Sequence, residues 1–297
     1  MLPKVGWIGC GVMGTSMVKN LLCADYDVAV YSRTKSRTDE VIAAGASWAT
    51  SPAELAQTCP IVISMVGYPE DVESVYLGVD GVFSISSKET CSQLVIDMTT
   101  STPALAKRIA DVASEREILS LDAPVSGGDV GAREGSLSIM VGGERAAFAE
   151  AEPIFNVVGK QAILQGAAGA GQHTKMVNQT IIASTMIGMC EGLVYAKRAG
   201  LDTRQVLESV SGGAAGSWSL SNLAPRILAG DLQPGFFVEH FVKDLGIAIS
   251  ECDRMGIGLP GLELARRLYD EVVRSGGGQL GTQALFMAME KMASTKS

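Results

Sequence analysis

Histidine is nearly missing from this 297-residue chain, which has only His173 and His240. A histidine-rich metal centre is thereby excluded, since such sites draw on three or four ligands. Cysteine pairs are missing too. Cys10, Cys23, Cys59, Cys91, Cys190 and Cys252 include no CxxC and no metal-ligand spacing. They suit free thiols in a reducing compartment and, taken singly, small buried hydrophobes. There is no basic surplus: the formal net charge is −8, which argues against nucleic acid or an anionic membrane as a general partner. An anionic ligand must then be met by local basic side chains or backbone N–H groups. No apolar run is long enough to cross a membrane without polar interruption. The chain opens on strand-like residues at Lys4, which leaves no room for a signal or transit peptide. A cytoplasmic protein is expected.

What is present is ordinary globular material, 47% hydrophobic and 19% charged, in a length that fits two domains. Residues 4–9 (KVGWIG) read as a short buried strand, followed at once by Gly9-Cys10-Gly11-Val12-Met13-Gly14. A helical pattern runs from Thr15 to Cys23, and YDVAVYS at 26–32 reads as a second strand. Strand, GxGxxG, helix and strand in this order form the setting in which the glycines carry meaning. Gly9 permits the tight turn, Gly11 lets backbone approach a pyrophosphate, and Gly14 lets the helix pack against the strand. The helix N-terminus then faces the phosphate charge. After the second strand, where an NAD site usually offers an acid to the ribose, the chain offers Ser32-Arg33-Thr34-Lys35 and no acid before Asp39. Arg33 suits a 2′-phosphate, with Ser32 and Thr34 as further donors, so NADP is expected and NAD is the alternative. A solvated basic loop is the plainer reading.

Alternation continues with helices near 36–44, 70–77, 103–117 and 144–157. Strands are expected at 61–66, 94–98, 118–123, 137–141 and 162–164. The pattern predicts an α/β fold, an N-terminal Rossmann-type doubly wound, mostly parallel sheet. Met65-Val66 and Thr99-Thr100-Ser101-Thr102 close two of these strands, where ligands collect in open sheets. Helix capping before Pro103 is the plainer role for the threonines. Beyond Gly166 the texture turns helical: 171–199, 203–210, 219–229, 238–256, 260–274 and 282–292. The expected division is a dinucleotide-binding domain at 1–166 and an all-α domain at 167–297. The tail after Met292 is expected to fray.

The first of these later helices carries apolar residues on nearly every face, which predicts burial on most sides. Lys175 lies in its opening turns, with Asn178, Gln179 and Ile182 on the same face. Such a Lys either meets something polar, for which a substrate is the natural choice, or snorkels to solvent. A second stretch, Asp122-Ala123-Pro124-Val125-Ser126-Gly127-Gly128, follows a strand. Its Ser-Gly-Gly turn can form a nest of N–H groups for a carboxylate, with the Ser126 hydroxyl as a further donor. A plain turn is the other reading.

IGCGVMG at 8–14, DAPVSGG at 122–128, GAGQHTKMVN at 169–178 and KDLGIA at 243–248 occur in order. Together they resemble the β-hydroxyacid dehydrogenases, a family that includes 3-hydroxyisobutyrate dehydrogenase, tartronate semialdehyde reductase, and the glyoxylate and succinic semialdehyde reductases. The resemblance covers essentially the whole chain. It implies that Lys175 is the catalytic acid/base and that Ser126, Gly127 and Gly128 bind the substrate carboxylate. Lys243 is implied as a second Lys for substrate and nicotinamide, closing from the helical domain, and Thr100 as a cofactor contact. Related enzymes carry an Asn four residues after the catalytic Lys, where this chain has Gln179. Asn178 is therefore the favoured substrate amide and Gln179 the alternate.

The implied function is hydride transfer between NADP(H) and a small β-hydroxy acid or its semialdehyde, in a homodimer or homotetramer. An NAD-dependent 3-hydroxyisobutyrate dehydrogenase and a catalytically silent cofactor-binding module are the alternatives. The related 6-phosphogluconate dehydrogenases have longer chains, and imine reductases usually lack the Lys. His173 and His240 read as structural, Asp244 as orienting a loop or solvated, and Trp218 as lining the substrate's far end or packing in the core. Tyr195 lacks the Lys four residues later that a short-chain dehydrogenase would need.

Overall fold

The computed structural model describes residues 2–294. Its strands are β1 (Val5–Ile8), β2 (Val28–Tyr31), β3 (Ser47–Trp48), β4 (Ile61–Ser64), β5 (Leu94–Asp97), β6 (Leu119–Asp122), β7 (Val125–Ser126), β8 (Leu137–Gly143) and β9 (Gly159–Gly166). They make one sheet in the order β3-β2-β1-β4-β5-β6-β8-β7, with β9 paired to β8. The run from β3 to β6 is parallel. Strand β8 is antiparallel to β6 and β7 and parallel to β9. This is the doubly wound sheet expected, and its chain reversal about β1 and β4 is the switch point at which such sheets take ligands.

Burial on both faces explains the unbroken apolar strands. Val5 and Trp7, with Val28, Val30, Ile61 and Ile63, face one side. There they meet α1 (Val12–Cys23), α6 (Gly128–Glu134) and α7 (Arg145–Val158). Ile8, Ala29, Val62 and Val95 face the other side, against α3 (Pro52–Thr58), α4 (Pro69–Leu77) and α5 (Pro103–Ser114). Strand β3 and helix α3 were not legible in the sequence; two residues are too few to show a period. The helix expected near 36–44 is a 3₁₀ turn, Lys35–Thr38, running into α2 (Asp39–Ala43).

The chain folds as two compact units, Met1–Lys175 and Met176–Ser297. It passes from one to the other inside α8 (Ala170–Arg198). The second unit is helical: α9 (Thr203–Ser211), α10 (Trp218–Asn222), α11 (Ala224–Leu228), α12 (Val238–Met255), α13 (Pro260–Arg274) and α14 (Leu285–Ser294). Its core joins Met186, Cys190 and Leu193 of α8 to Phe241 and Leu245 of α12 and Tyr269 of α13. The Tyr269 hydroxyl donates to the Thr282 carbonyl at 2.9 Å.

Three expectations need correction here. Helix α8 is not buried on most sides: Val177 and Ile181 are 60% and 62% exposed, because the core of its unit covers one face only. Trp218 does not pack in the core either; it opens the short α10 and is 55% exposed. The fraying expected after Met292 does not hold for Ala293 and Ser294, which close helix α14; for residues 295–297 that expectation lies outside the described residues. Among the described residues no helix is long and apolar enough to cross a membrane.

Candidate active site

The glycine loop leaves β1 with Gly9 at φ +100° and turns into α1. A Cβ at Gly9 would fall 2.2 Å from the Met65 carbonyl, and one at Gly14 would fall 2.0 Å from the Gly9 carbonyl. Those two glycines are required by the fold itself. Gly11 differs, because a Cβ there meets nothing within 4 Å. It also N-caps α1 without any side-chain cap or first-turn acid. The open face and the uncapped N-terminus fit a bound pyrophosphate, which the α1 backbone N–H groups would hold. Cys10 is buried, and burial pushes its thiol up to about 11, so it is a neutral group of the core against which Met13 packs, while Val12 is exposed.

Further along the strand ends, Ser32 is buried at the end of β2. Thr34 is exposed and precedes the 3₁₀ turn. Arg33 is 86% exposed and pairs with Asp71 of α4 at 2.8 Å. Met65 N donates to Ile8 O at 2.8 Å, and Val66 N donates to Thr99 Oγ1 at 3.0 Å. Thr102 caps α5 by accepting from Leu105 N at 3.1 Å, as its position before Pro103 suggested. The half-buried Thr100 stands between the Thr99 and Ser101 backbone groups.

Under these loops lie two buried carboxyls in register, Asp97 on β5 and Asp122 on β6. Asp97 accepts from Ser64 Oγ at 2.8 Å and from Thr99 N at 3.0 Å. Burial nevertheless pushes it up to about 6. Asp122 accepts from Gly169 N at 2.7 Å and Gln172 N at 2.8 Å. Burial pushes it up to about 6 against those bonds. Asp122 is thus a cap from a distant strand for the first turn of α8, whose opening N–H groups have no partner inside the helix. Sequence reading assigned Asp122 and Gln172 no role. The only signals available were an acid closing a strand and an amide among glycines.

Lys175 follows on the same helix. It is 6% exposed and its Nζ donates to Val125 O at 2.8 Å. The snorkelling alternative is thereby overturned. The acceptor belongs to β7, immediately before Ser126, Gly127 and Gly128. Gly127 and Gly128 take φ of +134° and +65°, which favours glycine. A Cβ on Gly128 would meet nothing within 4 Å, so the backbone there is open to a ligand. Hydrogen bonds link these segments in turn: Met65 to Ile8, Val66 to Thr99, Gln172 to Thr99 and Ser101, and Lys175 to Val125.

Asn178, Gln179 and Lys243 belong to the second unit. Asn178 Nδ2 donates to Gln179 Oε1 at 2.8 Å, and Gln179 Nε2 donates to Asp244 Oδ2 at 2.6 Å. Lys243 pairs with Asp244 Oδ1 at 2.9 Å. Asp244 is therefore buried and orienting, not solvated. His240 packs between Phe236 and Phe237, with ring centroids 6.3 and 5.5 Å away. Among the described residues no group of His, Cys, Asp or Glu is placed to hold a metal.

A mostly parallel sheet with a glycine loop at its switch point, and a buried Lys beside an open Ser-Gly-Gly backbone, fit the nicotinamide-dependent oxidoreductases. Residues 4–169 match the family model described as the NAD binding domain of 6-phosphogluconate dehydrogenase. Residues 169–289 match that described as NAD-binding of NADP-dependent 3-hydroxyisobutyrate dehydrogenase. The chain is 50% identical over 286 residues to the uncharacterized oxidoreductase YkwC of Bacillus subtilis, covering 96% of this chain and 98% of that one. It is 48% identical over 289 residues to the probable 3-hydroxyisobutyrate dehydrogenase-like 1, mitochondrial, of Arabidopsis thaliana, covering 97% and 86%. Mycobacterium tuberculosis 3-hydroxyisobutyrate dehydrogenase, solved with L-serine, superposes with a TM-score of 0.86 at 26% identity, covering 97% and 99%. The chain belongs to the β-hydroxyacid dehydrogenase family. It is an NAD(P)-dependent enzyme acting on the CH–OH group of its donor.

Proposed function

We propose that the protein moves hydride between NADP(H) and a small β-hydroxy acid or its semialdehyde, with Lys175 as general acid/base. The observation that carries this is the buried Lys175 Nζ, 2.8 Å from Val125 O and so beside the Ser126 loop. The bound nicotinamide supplies or accepts the hydride. Ser126 Oγ and the backbone N–H groups of Gly127 and Gly128 hold the substrate carboxylate. Lys175 Nζ, which donates to Val125 O, is assigned to the substrate oxygen. As the neutral amine it takes the hydroxyl proton in oxidation, and as the ammonium it returns that proton to the developing alkoxide in reduction. A proton donor so placed contributes ~10²–10⁴-fold.

Both ends of the Gln179 amide are already engaged, which supports Asn178, one turn beyond Lys175, as the substrate amide. Lys243, oriented by Asp244, is assigned to substrate and cofactor. NADP is inferred from the exposed Arg33 and from the absence of an acid at the end of β2. The Asp71 pair at 2.8 Å favours the second reading, an NAD enzyme using 3-hydroxyisobutyrate, because it occupies the guanidinium. We further place the enzyme in the cytoplasm as a homodimer or homotetramer, in keeping with the exposed Val177 and Ile181 on α8.

Initial rates with C3–C4 hydroxy acids and with the matching semialdehydes, run with both cofactors, test the reading. Turnover of at least one pair with NADP(H) preferred over NAD(H) is expected, and Arg33→Asp should reverse that preference. No turnover of any carboxylate-bearing substrate would reject it.

A further inference from the structure

Gln172, within the 169–178 motif, is fully buried and makes three hydrogen bonds to distant segments. Its Nε2 donates to Thr99 O at 2.8 Å, and its Oε1 accepts from Ser101 N at 2.9 Å. The carboxamide therefore grips the backbone on both sides of Thr100. Its own backbone N–H donates to Asp122 Oδ2 at 2.8 Å. Thr99 carries the connection onward, since its Oγ1 accepts from Val66 N at 3.0 Å. Lys175 lies three residues beyond Gln172, a neighbour on the same helical face. The seat of this helical turn is tight: a Cβ at Gly171 would lie 2.5 Å from the carbonyls of both Asp122 and Met140.

We propose that Gln172 is a positioning residue, latching the first turns of α8 to the 99–101 segment and so setting Lys175 against the 125–128 loop. The proposal rests on the reading of Lys175 given above. Gln172 reaches no reacting atom and acts through Lys175. A carboxamide is the side chain the place demands, because one end must donate to a carbonyl while the other accepts from an N–H. Shape alone does not supply this. A Met at 172 fills similar space and leaves both backbone groups unpaired in a buried setting.

The test uses the full-length enzyme with NADPH and whichever aldehyde acid it turns over. In Gln172→Met, kcat should fall about 10- to 100-fold, the scale set by small misplacements of a catalytic group, with KM for the aldehyde acid changed less than about threefold. Gln172→Glu supplies the conservative rescue. A protonated carboxyl donates to Thr99 O and accepts from Ser101 N, as the carboxamide does, whereas an ionised one cannot donate. The kcat ratio of Gln172→Glu to wild type should therefore be near one at low pH and fall as pH rises through that carboxyl's titration. The charged or titratable groups around this position are Asp97 and Asp122 beneath it, His173 and Lys175 on α8, and Lys107 of α5, whose stem passes Gly169. All are present in wild type, so the ratio isolates residue 172. Where Gln172→Met does not fold, the Gln172→Glu profile decides.

A ratio that stays flat with pH, or a Gln172→Met enzyme within threefold of wild-type kcat, overturns the latch. Near-normal turnover in Lys175→Ala instead removes the underlying reading, whatever the Gln172 variants do. The two failures are thus distinguishable.

Discussion

Asp97 and Asp122 stand side by side on neighbouring strands, and each is pushed by burial from the usual 3.8 up to about 6. Hydrogen bonds to each carboxyl offset part of the desolvation and leave the rest. For Asp97 the sign follows directly. Between about pH 4 and 6 the native carboxyl holds a proton that the unfolded chain releases. The associated stability is complete below the unfolded value and is lost as pH rises through about 6. Asp97→Asn keeps an acceptor for Ser64 and Thr99 and removes the charge. Its urea midpoint should exceed wild type at pH 8 and converge with it below pH 4; a lower midpoint at pH 8 would contradict the assignment. Neither carboxyl's role was legible in the chain, because the partners are remote: Asp122 caps a helix 47 residues away at Gly169. Lys175 was legible as a costly charge near the start of an apolar helix, and its acceptor was not, being a backbone carbonyl 50 residues distant.

At the scale of the element, the loop from β1 into α1 separates two duties that one motif merges. Gly14 serves the fold, since a Cβ there would sit 2.0 Å from Gly9 O. Gly11 serves the ligand, since its Cβ would enter open space. Gly14→Ala should therefore unfold several degrees lower, by the ~1–3 kcal/mol typical of overpacking or more. Gly11→Ala should melt as wild type does and bind NADPH at least tenfold more weakly. Thermal melts with and without NADPH check both, and equal melting temperatures for the two apo variants would refute the division. The glycine spacing was readable because each glycine answers a local backbone demand. Strands β3 and β7 were not readable, because a two-residue strand takes its place from its neighbours. The face of α8 at Val177 and Ile181 misled for a related reason. Composition shows how apolar a helix is, and only packing shows which face is covered.

For the whole molecule, four separated motifs carried the doubly wound sheet, the helical second half and the enzyme class. Strand–helix alternation and motif order both survive without knowledge of tertiary contacts. What the chain does with its substrate depends on contacts between segments far apart in sequence, and there the central claim concerns a single amine. Single-turnover reduction of an aldehyde acid by NADPH-loaded Lys175→Ala measures it most directly, with NADPH affinity titrated on the same sample. The account predicts NADPH affinity unchanged within a few-fold and a hydride-transfer rate ~10²–10⁴-fold below wild type. A rate within a few-fold of wild type, at unchanged affinity, would contradict it.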